Sequence, residues 1–282
     1  MDKLLKRGNI EILIPERAGG GLTGETHLLE LDNQKFVLRK CADLEKADFY
    51  KKMANKFEKK GFFPKMIDKK GKNVLYEFIK GRDLRGKEER LNNIEEVGKI
   101  LAIINKEKFK GKFSDPFETQ IRELKTGKYI PSLKVKIARK KRNITSKPKK
   151  LLTEKQAKEI LNYYKSKKTK LKPEVVYDCG DPTPGNFRLR NGKVYLVDID
   201  SIKPRYKGFG ISKFFLEWGK TRNKQEKFVK GYKSKNNLNL LTEEYKDFID
   251  LIFLVQRLNF QAQTGKETKE TYEKIISLIQ RR

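Results

Sequence analysis

The stretch Val175–Ser201, VVYDCGDPTPGNFRLRNGKVYLVDIDS, restricts the chain more than any other. An apolar run, a polar loop, two further short runs and a pair of carboxylates follow one another there. Asn191-Gly192 between alternating apolar residues signals a type I′ hairpin, because both central residues of that turn need φ > 0. The hairpin turns the chain back, so Asp198 returns to the neighbourhood of Asp181 and Asn186. Several oxygen ligands converging on one point suit a hard cation such as Mg²⁺ rather than zinc. Taken without the rest of the chain, the same residues also describe a β-hairpin with polar ends.

The chain has 282 residues, enough for one large domain or two lobes with a real core. Apolar and charged residues each make up 37%, so a core can form beneath a heavily charged surface. Lys and Arg number 67 against 37 Asp and Glu, a formal net charge of +30. Such a field favours anionic partners such as nucleic acid, phosphorylated metabolites or acidic membrane surfaces; it equally describes lysine used as solvated filler. Cys41 and Cys179 are the only cysteines, which excludes a disulfide framework and a CxxC zinc site and fits a reducing, cytoplasmic setting. The N-terminal segment has no continuous apolar core of signal-peptide length. The longest apolar run, around Leu251–Val255, is far too short to span a bilayer, so a soluble chain is expected.

The first part of the chain reads as strands. Ile10–Ile14 is a short apolar run, followed by a turn containing Gly19, Gly20, Gly21 and Gly24. With no Cβ in the way, such a turn lets backbone N–H groups approach phosphate oxygens. It is not a Walker A loop, since the GKS or GKT ending is missing. In the next strand alternation puts Val37 and Arg39 on one face and Phe36, Leu38 and Lys40 on the other. Leu44–Lys59 has helical spacing, with Leu44, Ala47, Tyr50 or Met53, and Phe57 on its apolar stripe. Glu45 and Asp48 on that helix are candidates to pair with the strand cation; either also fits a solvated helix face. Another hairpin runs through Lys70-Gly71 into Val74–Ile79, and Lys80–Leu84 breaks the pattern. A lobe boundary is placed there, dividing residues 1–80 from 81–282.

Beyond it the signals are mostly helical. Ile94, Val97, Ile100, Leu101 and Ile104 form one stripe. Asp115-Pro116-Phe117-Glu118 suggests a capped start with Pro at the first helical position. Thr153–Gln156 is a capping box opening a helix through Tyr164. The longest helix opens at Leu241-Thr242, buries Tyr245, Phe248, Ile249, Ile252, Phe253 and Leu258, and stops at Thr264-Gly265. A last helix covers about Glu270–Ile279. Residues 125–172 are extremely basic, with Arg139–Arg142 at their centre and an exposed loop near Lys147-Pro148. A stripe of this kind suits a weak contact with an anionic polymer or membrane surface, or a solvated face.

In order along the chain, these pieces resemble the aminoglycoside/choline phosphotransferase family of the protein-kinase-like fold. Gly20-Gly21-Leu22-Thr23 with Thr26 resembles its nucleotide loop, and Val37-Leu38-Arg39 its VLR strand. Leu75–Leu84 resembles its hinge segment and GxxL turn. Cys179–Asn186 resembles its HGDxxPGN catalytic loop, Val197–Asp200 its IDFxD metal motif, and Phe228–Tyr232 its FxxGY segment. The chain departs from the pattern at Cys179 and Asn105, where the family usually has histidine. Tyr206–Ser212 also stands where a DxxYDLA segment is common.

The resemblance implies an α+β bilobal fold: a small lobe of antiparallel sheet with one helix, and a larger, mainly helical lobe. It implies an ATP-dependent (or GTP-dependent) kinase with Mg²⁺. Asp181 would act on the acceptor hydroxyl, and Asn186 and Asp198 would hold the metal. Asp200 would be an outer-sphere or second-metal residue. Arg39, less favourably Lys40, would grip the phosphates, with Glu45 or Asp48 orienting it. Glu77, Phe78 and Ile79 would offer backbone to the base. The acceptor is not fixed by the fold; the charge argues for a neutral or anionic hydroxyl compound rather than an aminoglycoside. The alternative is a non-catalytic kinase-like module that binds nucleic acid or an anionic membrane surface through residues 125–172.

Overall fold

The computed structural model describes residues 9–12, 25–31, 33–237 and 242–281. Five strands come first: β1 (Asn9–Ile12), β2 (Glu25–Leu31), β3 (Gln34–Lys40), β4 (Met66–Lys70) and β5 (Asn73–Glu77). They form one antiparallel sheet in the order β1-β2-β3-β5-β4. The register sets Leu38 opposite His27 on one side and Leu75 on the other. The alternation holds: Phe36 and Leu38 join Leu29 and Leu75 in a small outer cluster, while Val37 packs against the main core. On the same inner face Arg39 is buried.

Helix α1 (Leu44–Phe57) lies between β3 and β4. Asp43 caps it by accepting the Lys46 N–H at 2.7 Å. Its buried stripe is Ala47, Tyr50, Met53, Ala54 and Phe57. Leu44, expected on that stripe, is instead 54% exposed at the first position of the helix.

The larger part is mainly helical. It contains α2 (Lys87–Asn105), α3 (Phe117–Thr126), α4 (Leu133–Lys141), α5 (Glu154–Leu171), α6 (Phe209–Glu217), α7 (Arg222–Lys233), α8 (Glu243–Gln263) and α9 (Lys269–Gln280). Short strands sit among them: β6 (Arg82–Asp83), β7 (Val175–Cys179), β8 (Phe187–Arg190), β9 (Lys193–Leu196) and β10 (Ile202–Tyr206). The capping box on α5 forms as read, with Thr153 and Gln156 bonding each other's backbone N–H groups. That helix runs to Leu171, past the expected Tyr164. Helix α3 starts one residue later than expected: Pro116 occupies the cap, and Asp115 accepts the Phe117 N–H at 3.0 Å. Helix α4 was not expected at all; its basic sequence hid its helical spacing. All five apolar positions read on α2, and all six on α8, are buried.

One core cluster runs across the proposed lobe boundary, joining Tyr50 and Phe57 of α1 to Ile94, Leu101, Tyr177, Phe187 and Phe228. A second cluster joins α3, α5, α8 and α9 around Phe117, Tyr164 and Phe248. The α2–α7 crossing depends on two glycines. A Cβ on Gly231 would lie 1.9 Å from the Glu95 carbonyl oxygen, and one on Gly98 would lie 2.3 Å from that of Phe228. Both obstacles are backbone, so the helices must part. Gly231→Ala is expected to destabilise by roughly 1–3 kcal/mol or more; an unchanged denaturation midpoint contradicts this crossing.

Candidate active site

Strand β7 leads into the loop at Cys179–Asn186, and β8 and β9 follow as the expected hairpin. Asn191 and Gly192 both take positive φ, 50° and 73°, as a type I′ turn demands. Phe187 faces Leu196 across the hairpin, and the Val197 N–H donates to the Asn186 carbonyl at 2.9 Å. The backbone thereby brings Asn186 beside the Val197-Asp198 pair. The Asn186 side-chain amide donates to the Asp181 carbonyl at 2.7 Å, which leaves Oδ1 as its acceptor end.

A polar network holds this loop from below, and the sequence reading missed most of it. Asp178 is fully buried and accepts from Asn105 Nδ2 at 3.0 Å and from the Gly208 and Gly210 N–H groups at 3.2 and 2.9 Å. Burial pushes its carboxyl above the usual range, against the Asn105 bond and the Arg205 charge. Asn105 also donates to the Tyr177 carbonyl and accepts from Tyr232 Oη at 2.9 Å. The residue at the usual histidine position of α2 thus ties α2, β7 and α7 together. The visible signal was an acid inside the apolar strand Val176-Tyr177-Asp178-Cys179, tolerated only if fully bonded.

Cys179, at the other usual histidine position, is buried with Sγ 3.3 Å from Ser201 Oγ. Ser201 Oγ in turn donates to the Asp198 carbonyl at 2.6 Å, linking the two loops. Burial pushes the Cys179 thiol up to about 12, and burial raises Cys41 as well. Because the folded value lies above the unfolded one, this contribution to stability is complete below about pH 8.5 and is lost as pH rises toward 12. At pH 8 both thiols are expected to resist iodoacetamide in the native protein and to react fully in guanidinium; rapid native labelling contradicts their burial.

Arg39 faces this loop from β3. Its guanidinium is paired and hydrogen-bonded to Asp200, and Tyr50 Oη donates to the other oxygen of the same carboxylate. Lys46 Nζ reaches that second oxygen at 2.8 Å. The Arg39 and Asp200 side chains are only 9% and 10% exposed, so the pair is shielded from solvent. Lys46 is held below its ordinary value by burial and then by the positive charges of Arg39 and Lys203. The acid on Arg39 therefore comes from the Asp198–Asp200 segment, not from α1 as expected. Asp48 pairs with Lys69 at 2.5 Å, and Glu45 is exposed in the first turn. No periodicity on α1 could reveal this, because the partners lie 161 positions apart. Lys40 is exposed.

In the hinge the Glu77 N–H donates to the Lys65 carbonyl at 2.8 Å and the Phe78 N–H to that of Lys35 at 3.2 Å. Among the described residues the Ile79 N–H has no backbone partner. Gly20, Gly21, Leu22 and Thr23 lie outside the described residues; Thr26 is placed, opposite Arg39 in the β2–β3 register.

The donor chemistry fits a divalent cation bound together with phosphate. Asn186 Oδ1 and the Asp198 carboxylate are hard oxygen donors, and no group of three or more His, Cys, Asp or Glu side chains gathers among the described residues. Mg²⁺ typically takes one or two protein ligands beside phosphate and water.

The basic region is partly spent on the fold. Arg139 donates to the Gln263, Ile144 and Ser146 carbonyls. Lys125, Lys165, Lys167 and Lys168 pair with Glu154, Glu118, Glu244 and Asp115. Among the described residues no helix is long and apolar enough to cross a membrane.

No protein-family model matches the chain, and no curated protein sequence matches it. Solved structures do. Choline kinase LicA from Streptococcus pneumoniae superposes with a TM-score of 0.63 at 16% identity, over 99% of this chain and 96% of that one. An ethanolamine kinase from Plasmodium vivax gives 0.62 at 11% identity, over 98% and 82%. Amicoumacin kinase hAmiN, solved with AMP-PNP, Ca²⁺ and Ami, gives 0.60 at 12% identity, over 96% and 86%. With its antiparallel N-terminal sheet and a mainly helical remainder that contains the loop-hairpin, the chain has the protein-kinase-like fold of these small-molecule kinases.

Proposed function

We propose that the protein is an ATP-dependent phosphotransferase that moves the γ-phosphoryl group to a hydroxyl of a small acceptor, with GTP as the alternative donor. The observation that carries this reading is the loop-hairpin that gathers Asp181, Asn186 and Asp198 across from a buried strand cation, Arg39. Phosphoryl transfer asks a protein for in-line positioning and charge neutralisation more than for covalent chemistry. Asp181 holds the acceptor hydroxyl and takes its proton as the new P–O bond forms and the bond to the leaving nucleotide breaks. Arg39 engages the α- and β-phosphates, oriented by Asp200 and Tyr50. The Ile79 N–H, with the Glu77–Ile79 backbone, receives the base. Asn186 and Asp198 would hold Mg²⁺; bound there, the ion neutralises phosphate oxygens.

The likeness to a kinase solved with AMP-PNP and Ca²⁺ supports this reading. The net charge of +30 supports a neutral or anionic acceptor over a polycation. Residues 1–80 would form the nucleotide lobe and 81–282 the acceptor lobe. The test is a calorimetric titration with AMP-PNP. Wild type binds it with Mg²⁺ enhancement, and Asp198→Ala loses the enhancement. Absence of nucleotide binding at millimolar concentration overturns the reading.

A further inference from the structure

Beside Asp181 lies a cation that none of the motifs above includes. Lys213, on α6, donates from Nζ to Asp181 Oδ1 at 2.6 Å, and its side chain is only 16% exposed. It is the one charged residue in the run Phe209–Leu216, which is why the sequence hid it. Glu217, one turn on, lies 3.8 Å from the same ammonium and 3.6 Å from Arg257 Nη1 on α8. Charges thus alternate from Asp181 through Lys213 and Glu217 to Arg257.

We infer that Lys213 is the acceptor-reading residue: it takes an anionic substituent, a phosphate or carboxylate, carried next to the reacting hydroxyl. The inference rests on the proposed role of Asp181. Asp181 Oδ1 cannot fully serve the hydroxyl while it accepts from the ammonium at 2.6 Å. An acceptor anion that draws Lys213 away satisfies the ammonium and frees Oδ1 in the same step. A neutral acceptor leaves the pair closed. A cationic acceptor, such as a choline-like ammonium, brings like charge against Lys213. Lys213 therefore selects for charge and couples that selection to the readiness of the base. It touches acceptor, not nucleotide.

The test is a titration of the full chain, saturated with Mg²⁺ and AMP-PNP, with three probes: glycerol 3-phosphate, glycerol and ethanolamine. Wild type is expected to bind glycerol 3-phosphate at least about ten-fold more tightly than either other probe, the weight of one charge-assisted hydrogen bond. Lys213→Met should lose that preference, Lys213→Arg should keep it, and Lys213→Glu should shift it toward ethanolamine. AMP-PNP affinity and thermal midpoint should be unchanged in Lys213→Arg and Lys213→Met, which separates lost recognition from lost folding. No preference in wild type, or a preference kept in Lys213→Met, overturns the inference. A fall in MgATP hydrolysis by Lys213→Met equal with all probes, at unchanged probe affinity, also overturns it by placing the ammonium on the transferred phosphoryl group. Loss of AMP-PNP binding in wild type would instead sink the phosphotransferase reading itself.

Discussion

Asp181→Asn is expected to lower phosphoryl transfer by about 10²–10⁴-fold, the weight of one general base. The change keeps the shape of the side chain and the Asp181 carbonyl that accepts from Asn186 at 2.7 Å. It removes the acceptor for the hydroxyl proton. It also removes the charge facing Lys213 at 2.6 Å, a pair whose side chains are 16% and 27% exposed. Nucleotide affinity and the denaturation midpoint should stay close to wild type, because the loop is held from below by Asp178, Asn105 and Ser201 rather than by Asp181. The result is read as kcat at saturating MgATP. A rate within a factor of about three of wild type removes Asp181 from the proton transfer.

The second large effect concerns Asp200, and it is an effect on stability first. Its carboxylate is shared by Arg39, Tyr50 and Lys46 in a shielded position. Asp200→Ala takes a shared carboxylate from two cations and a buried hydroxyl at once. Removing one partner from a buried pair costs about 3–5 kcal/mol, because the remaining charge is left uncompensated. Arg39→Met strands less, since Lys46 stays at 2.8 Å from the carboxylate. The expected order is therefore Asp200→Ala far more destabilised than Arg39→Met in urea unfolding. Nucleotide binding should run the other way. Arg39→Met should weaken AMP-PNP by about 10- to 100-fold, the weight of a charge-assisted bond to phosphate. Equal destabilisation by the two changes would show that Lys46 does not share the carboxylate.

What the sequence made legible follows from the range of the interaction behind it. The type I′ hairpin at Asn191-Gly192, the Thr153 capping box and the apolar stripes of α2 and α8 are local rules, and each appears at its expected place. The convergence of Asn186 with Asp198 was legible for the same reason, since one tight turn separates them. The partner of Arg39 was not. α1 offered two nearby acids, and the choice went to an acid far along the chain because it could be buried with Tyr50. Lys213 was hidden within an apolar helix, and α4 within a run of lysines. The roles of Asn105 and Cys179 became readable only once their neighbours were placed. One ties Tyr232 to Asp178, and the other reaches Ser201 and so the Asp198 loop.

The central claim is that a nucleotide γ-phosphoryl group leaves this site for a hydroxyl. Its most direct measurement follows label from radiolabelled ATP with Mg²⁺ into hydroxyl compounds bearing a phosphate or carboxylate, alongside Asp181→Asn and Asp198→Ala. The account predicts that wild type transfers label to an acceptor and that both variants lose transfer while remaining folded. Wild type that neither transfers nor consumes nucleotide, or variants that match its rate, would contradict it.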